Sequence, residues 1–331
     1  MSKRKPVNMS DHPPSENSKN TPPAYFKIVD GTFIRLFQFP TTSATGDDTH
    51  SPVLSKDIPL NPITNTWLRL FRPRHSSSGV KLPLIIYVHG GGFILCSAAS
   101  TINHDFCANI SIELPALIVS VEYRLAPEHR LPAAYEDAVD AMHWITKCED
   151  EWLRDLADFS RCFLMGSSAG GNIVYHAGLR AAAASDDLVP LRIKGLILHQ
   201  PYFGGSQRTG SELRLVNDQV LPLSANDMMW EQALPIGADR DHEYCNPLMG
   251  GGSSVERVGL MGWWCLVTGC DGDPLMDRQV ELVRMLERKG VRVVERFVEG
   301  GYHGIEAFDS KAAQAFFMVL RNFVFSIVPS Q

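Results

Sequence analysis

Apolar and polar positions along this chain fall into alternating runs, continuous runs and helical repeats, and their order predicts an architecture. Alternating runs come first: residues 25–29 and 32–36 flank Asp30-Gly31, a two-residue turn signal, and predict a hairpin. The stretch from the hairpin to residue 65 is rich in Thr, Ser and Asp and reads as a loop, after which 66–71 alternates as a half-buried strand should. Apolar strands are then predicted at 82–88, 116–121, 161–165, 193–199 and 264–268, with a last strand at 291–297. Periodic apolar positions predict helices over 135–148, 169–184, 278–289 and 310–326; Ala138, Met142 and Ile145, for example, stand at i, i+4 and i+7. Apolar strands alternating with helices predict an α/β protein with a mainly parallel central sheet and helices on both faces.

Two regions depart from that rhythm. Residues 1–23 are polar and proline-containing, with too few apolar groups to offset the entropy of ordering, and predict a disordered tail ahead of a single domain at 24–331. Residues 201–255 carry glycine pairs, Trp230 and the breaks Pro222, Pro235 and Pro247, and no central strand. An insertion at the carboxyl end of the sheet is where an α/β protein builds a lid, so this region and the N-terminal region are expected to form a cap.

Composition narrows the function. A hydrophobic content of 44%, a charged content of 21% and a mean hydropathy of −0.08 fit a globular chain with a sizeable core. The net charge of −6 offers no basic surface to nucleic acid, and the basic cluster Lys3-Arg4-Lys5 lies in the polar tail. No apolar run near the N-terminus is long enough for a secretory signal core and none anywhere approaches a membrane span, which leads to the expectation of a cytoplasmic protein with no membrane partner. The seven cysteines are odd in number and lack Cys-x-x-Cys pairs, as expected of buried thiols rather than a disulfide framework or a zinc site.

Against this background the stretch Phe163-Leu164-Met165-Gly166-Ser167-Ser168-Ala169-Gly170-Gly171 stands out. A serine on a sharp turn between strand and helix has a strained backbone and needs small neighbours two residues either side, and Gly166 and Gly170 meet that need. The amide of Ala169 would open the helix and face the oxygen of a substrate carbonyl. The predicted strand at 82–88 ends in His89-Gly90-Gly91-Gly92-Phe93, where glycines let backbone N–H groups approach a ligand closely, the other half of an oxyanion hole.

A serine nucleophile needs a base and an orienting acid. Of the four histidines after Ser168, His176 lies two turns into the helix, roughly 12 Å along its axis and out of reach. His199 and His242 read as structural or solvated, whereas His303 sits in a glycine-flanked loop just after the last strand. Asp271, Asp273 and Asp277 follow the preceding strand; Asp273 is held extended by Pro274, Asp277 reads as an early-helix residue, and Asp271 is the alternative acid. Arg124 and Glu128 read as braces of their connection rather than substrate contacts.

Together His89-Gly90-Gly91-Gly92-Phe93, the stretch Glu122-Tyr123-Arg124-Leu125-Ala126-Pro127-Glu128, the serine turn, Asp273-Pro274-Leu275 and Tyr302-His303-Gly304 resemble the plant carboxylesterases of the hormone-sensitive-lipase-like family, over about residues 25–326. The resemblance implies an α/β-hydrolase fold with a helical cap. It implies Ser168 as nucleophile, His303 as base and then acid, and Asp273 as its orienter. Gly91, Gly92 and Ala169 would be the oxyanion donors, with His89 and Gly90 shaping the supporting loop. It further implies hydrolysis of short acyl esters, acetyl esters in particular, of small molecules or specialised metabolites, with no metal or organic cofactor; the oligomeric state is left open between a monomer and a weak dimer. Hormone receptors and dehydratases share this scaffold; the receptors lose the histidine that this chain keeps at His303, and some dehydratases replace the serine kept here at Ser168. One position departs from the family pattern, since relatives commonly carry an acidic residue where this chain has Ser167.

Overall fold

The computed structural model describes residues 26–327 except 31, 47–49, 76–78 and 251; the predicted tail at 1–23 lies outside the described residues. Ten strands are described: β1 (Phe26–Val29), β2 (Thr32–Arg35), β3 (Val53–Asn61), β4 (Thr66–Pro73), β5 (Leu82–Val88), β6 (Leu117–Glu122), β7 (Ala157–Ser167), β8 (Ile193–His199), β9 (Trp264–Cys270) and β10 (Arg292–Val298). The α-helices are α1 (Thr101–Glu113), α2 (Ala133–Thr146), α3 (Glu151–Leu156), α4 (Ala169–Ala183), α5 (Gly210–Arg214), α6 (Leu223–Ala233), α7 (Gly252–Leu260), α8 (Met276–Arg288) and α9 (Ser310–Ser326).

β1 and β2 form the expected antiparallel hairpin, with Val29 opposite Thr32 and Asp30 at φ +49°. The other eight strands make one sheet in the order β10-β9-β8-β7-β5-β6-β4-β3. From β10 to β6 every neighbour is parallel, and β4 and β3 add an antiparallel edge. β5 is buried along its whole length because its side chains feed two cores. Leu84, Ile86 and Val88 join the core built with α2, α4 and α8, while Ile85 and Tyr87 join the one built with α1 and α9. α9 shows how a helix is placed on such a face. Asp309 caps it by accepting the amides of Lys311 and Ala312, and Phe316, Leu320, Phe323 and Val324 recur on its buried side.

Several stretches differ from expectation, α3 and the early start of β7 among them, and two of them shape the sheet and its cover. Residues 53–61 form the edge strand β3, not a loop, paired with β4 from Val53 opposite Pro73 to Asn61 opposite Thr66. An edge strand needs apolar residues on few positions and tolerates Pro59, so its pattern resembles that of a polar connection. α1 fills a stretch whose pattern predicts no element; its weak amphipathicity includes buried Asn103, His104 and Ser111.

The sheet order positions the site. After β5 the chain crosses to β6 on one side, and after β7 it crosses to β8 on the other. The loops leaving the carboxyl ends of adjacent β5 and β7 therefore diverge, opening a crevice of the kind where open α/β sheets bind ligands. Those two loops are the glycine loop at 89–93 and the serine turn.

Candidate active site

Ser168 lies between the end of β7 and the start of α4 with φ +54° and ψ −120°, a conformation that a non-glycine residue holds only when its surroundings enforce it. The surroundings are backbone. A Cβ on Gly166 would stand 2.1 Å from the carbonyl oxygen of Gly170, and one on Gly170 would stand 2.0 Å from that of Val88. Strand, turn and helix pack too closely here for any side chain. The Ser168 amide donates to the His199 carbonyl at 2.9 Å, and its own carbonyl accepts the amides of Gly171 and Tyr202, each at 2.9 Å.

His303 Nε2 lies 2.9 Å from Ser168 Oγ, and His303 Nδ1 lies 2.9 Å from Asp273 Oδ2. Asp273 is completely buried. Its Oδ1 accepts the Leu275 amide at 2.8 Å and its Oδ2 accepts Gln279 Nε2 at 2.9 Å, so the carboxylate is held at both oxygens. Burial works against a charged imidazole at His303, but the charge and hydrogen bond of Asp273, with Asp218 and Glu306, outweigh it and raise the pKa above the ordinary 6.5. Asp271 faces elsewhere: its Oδ1 accepts the amide of Gly300, bracing the loop that carries His303. Asp277 lies in the first turn of α8, where its carboxylate accepts the Ser211 amide at 2.7 Å.

The glycine loop meets the serine turn directly. A Cβ on Gly90 would be 3.0 Å from the Ser167 carbonyl oxygen and 3.2 Å from Ser168 Cβ. Gly91 and Gly92 have φ of +113° and +59°, and the Gly91 carbonyl is occupied by the amides of Ile94 and Leu95. Among the described residues, the amides of Gly91, Gly92 and Ala169 have no backbone acceptor. From above, Met229 of α6 closes on the loop, its Sδ 2.3 Å from where a Gly92 Cβ would sit. His89 is buried and stacked on Tyr123 with ring centroids 4.3 Å apart; its Nδ1 lies 2.7 Å from the Gly90 carbonyl oxygen, and burial lowers its pKa to about 4. A neutral His89 donates to that carbonyl and stiffens the loop.

Together these groups have the arrangement that serine hydrolysis needs: a hydroxyl, an imidazole in contact with it, a carboxylate behind the imidazole and N–H groups beside them. Residues 85–307, which contain all of them, match the family described as alpha/beta hydrolase fold. The chain is 48% identical to Carboxylesterase 20 of Arabidopsis thaliana, over 93% of this chain and 97% of that protein. The chain belongs to the plant carboxylesterase family of α/β hydrolases. It is also 50% identical to 3-O-acetylpapaveroxine carboxylesterase CXE2 of Papaver somniferum, over 88% of this chain and 95% of that one. Among solved structures, the esterase of Pyrobaculum calidifontis superposes with a TM-score of 0.67 at 28% identity, covering 83% of this chain and 85% of that one.

Within this plant carboxylesterase scaffold, the remaining expected residues fall as follows. Ser167, at the position where relatives commonly have an acid, accepts a hydrogen bond from the Tyr87 phenol at 3.2 Å. His176 is buried and stacked on Tyr135, and His242 Nδ1 accepts the Tyr244 amide. His199 is buried, not solvated, with Nδ1 2.7 Å from Thr268 Oγ1 and Nε2 3.1 Å from Glu306. Arg124 pairs with buried Asp137 and braces its connection, whereas Glu128 turns to Arg35 of β2. Arg35 also donates to the carbonyls of Ile94 and Ala126, tying the N-terminal hairpin to the segment that follows the glycine loop. Sequence reasoning does not find Gln279, Arg35 or Asn172, whose Nδ2 donates to the Tyr202 and Tyr244 carbonyls at 3.1 and 2.8 Å. Each acts over a distance or through a backbone carbonyl, and no motif spacing reports that; only the place of Gln279 one turn into α8 after Asp273 is a local signal.

Proposed function

We propose that this chain is a cytoplasmic serine carboxylesterase that hydrolyses short-chain acyl esters, acetyl esters in particular, of small molecules or specialised metabolites. The observation that carries the reading is the continuous contact from Ser168 Oγ through the His303 ring to Asp273, each step 2.9 Å, beside the glycine loop. In the first half-reaction His303 Nε2 takes the Ser168 proton while Oγ bonds to the ester carbonyl carbon. The carbonyl oxygen gains the negative charge and is met by the amides of Gly91, Gly92 and Ala169. Collapse of this intermediate breaks the bond to the alcohol oxygen, which takes the proton from His303. Water then adds to the acyl-serine with His303 as base, releasing the acid and restoring Ser168.

Asp273 keeps the imidazole in the tautomer that this cycle needs and favours its protonated form in each transition state. Every step uses this chain's own groups, and no metal or organic cofactor enters. The name of the Papaver somniferum relative, 3-O-acetylpapaveroxine carboxylesterase, supports the acetyl preference. The N-terminal hairpin and residues 201–255 serve as the cap, the first through Arg35 and the second through Met229 over Gly92.

Hydrolysis of p-nitrophenyl esters of increasing acyl length, with paraoxon labelling and peptide mass spectrometry, tests the reading. Short esters should turn over fastest, one phosphoryl group should appear on Ser168, and EDTA should leave the rate unchanged. Ser168→Ala should lower kcat on the order of 10⁴-fold or more. Labelling at another residue, or inactivation by EDTA alone, would overturn it.

A further inference from the structure

The loop that carries His303 has little regular structure of its own. Gly300, Gly301 and Gly304 all have φ between +76° and +87°, and the loop joins the end of β10 to a single 3-10 turn at Ile305–Ala307. A loop so rich in glycine has many accessible conformations, yet the imidazole it carries must meet Ser168 within a hydrogen bond. Something outside the loop has to select one conformation.

Gln200, the residue after β8, supplies what the loop lacks. Its side chain is buried at 2% exposure, and its backbone is in the left-handed region at φ +43°, where non-glycine residues are uncommon. The backbone amide is anchored to the Thr268 carbonyl of β9 at 2.9 Å. From there the carboxamide reaches both sides of the histidine: Nε2 donates to the Tyr302 carbonyl at 3.3 Å, and Oε1 accepts the Gly304 amide at 2.6 Å. One side chain therefore binds the residue before His303 and the residue after it. The pairing needs a donor and an acceptor at the end of a two-carbon stem, which glutamine has; asparagine is one carbon short, and ionised glutamate has no donor.

We propose that Gln200 is a positioning residue for His303, a two-point clamp that fixes the glycine loop so that the imidazole faces Ser168. The proposal rests on the serine-esterase reading above and adds to it the element that aligns the base. It also explains why a buried residue at a strand end holds a left-handed backbone: the turn there brings the carboxamide to the loop. His199, just before it, reinforces the same junction through Glu306, at 3.1 Å.

The test compares wild type, Gln200→Met and Gln200→Glu for folding by circular dichroism, for kcat and KM on p-nitrophenyl acetate, and for the rate of phosphorylation of Ser168 by paraoxon. Methionine keeps the length and removes both hydrogen bonds. It should lower kcat and the phosphorylation rate by about 10- to 100-fold, with KM within about twofold, because a misaligned base slows attack without altering ester binding. Glutamate keeps the acceptor for Gly304 and loses the donor to Tyr302, so its kcat should fall between those of wild type and Gln200→Met. Its added charge would join Asp273, Asp218 and Glu306, with the Glu306 partner His199 and the Cys270 thiol nearby, around His303. The acid limb of the Gln200→Glu profile should therefore move to higher pH.

A folded Gln200→Met with wild-type kcat and phosphorylation rate would overturn the proposal. So would a folded Gln200→Glu with unchanged kcat and acid limb, and loss of folding in both variants would assign Gln200 to the fold and not to the loop. Failure of the underlying reading looks different: wild-type protein itself would then show no labelling at Ser168.

Discussion

The turn that carries Ser168 and the loop that carries His303 meet at a single hydrogen bond, yet different forces hold them. Around Ser168 the constraint is steric: β7, α4 and the end of β5 approach so closely that Gly166 and Gly170 have backbone oxygens where a Cβ would be. Around His303 the constraint is mainly polar, with one close backbone approach, since a Cβ on Gly272 would stand 2.0 Å from the Gly301 carbonyl oxygen. Asp273 lies 30 residues earlier in the chain, Gln200 more than 100, and a Cβ on Gly304 would meet nothing within 4 Å. Ser168 is thus placed by packing that cannot yield, and His303 mainly by hydrogen bonds that can be removed one at a time. Mutations of the supporting glycines should damage the fold at the first, and mutations of the polar partners the chemistry at the second.

The largest effect should come from the acid behind the base. Asp273→Asn leaves His303 present but in the wrong tautomer and should lower kcat by about 10⁴-fold, whereas Asp271→Asn keeps an oxygen acceptor for the Gly300 amide and should cost less than about tenfold. Steady-state kinetics on both variants settle the assignment, and a worse Asp271→Asn would reverse it.

Two glycine substitutions then separate the two forces. Gly170→Ala drives a methyl group into the Val88 and His89 carbonyls and should destabilise the protein by about 3 kcal/mol or more, beyond ordinary overpacking. Gly304→Ala has open space and incurs only the strain of φ +76°, about 1 kcal/mol. Denaturant unfolding of the two proteins should show this difference; equal losses would mean that the turn is not sterically locked.

The pH profile sharpens the polar side. Only neutral His303 accepts the serine proton, and its pKa is raised in the folded protein, so kcat/KM should fall as pH drops through a value above 6.5. In the residual activity of Asp273→Asn the raising charge is gone and burial remains, so that limb should move to lower pH. A wild-type limb centred below 6.5 would contradict the electrostatics described for His303.

Smallest of all should be Arg35→Ala. The Arg35–Glu128 pair is partly exposed, at 28% and 53%, and such pairs contribute about 0–1 kcal/mol. Loss of the bonds to Ile94 and Ala126 should lower kcat/KM by no more than about fivefold, read on the same acetate substrate. A larger loss would show that the N-terminal hairpin holds the glycine loop as firmly as the sheet holds the serine turn.

Much of this site was legible before any coordinates. Close approach of backbones forces glycine, so Gly166-x-Ser168-x-Gly170 and Gly90-Gly91-Gly92 report their own geometry in consecutive residues. Central strands covered on both faces are apolar along most of their length, so β5 and most of β8 could be read from their apolar runs. His303 and Asp273 were legible because each follows a strand on the functional edge of the sheet. The edge strand β3 and the helix α1 were not, because their partly polar faces leave no clear period.

The sequence by itself determined the α/β sheet, the serine turn, the glycine loop and the histidine and aspartate that could serve them, because each of these is written in neighbouring residues by sterics or by apolar period. Tertiary structure alone decided which way the carboxylates face, with Asp273 turned to His303 and Asp271 to Gly300, and what holds the histidine loop. It also turned Glu128 from its expected connection toward Arg35 and set Met229 over Gly92. The physical reason is the range of the interaction. The hydrogen bond from the Gly304 amide to the Gln200 carboxamide oxygen depends on where β8 and β10 stand in the sheet, and a side chain's partner across 100 residues leaves no pattern in the residues beside it.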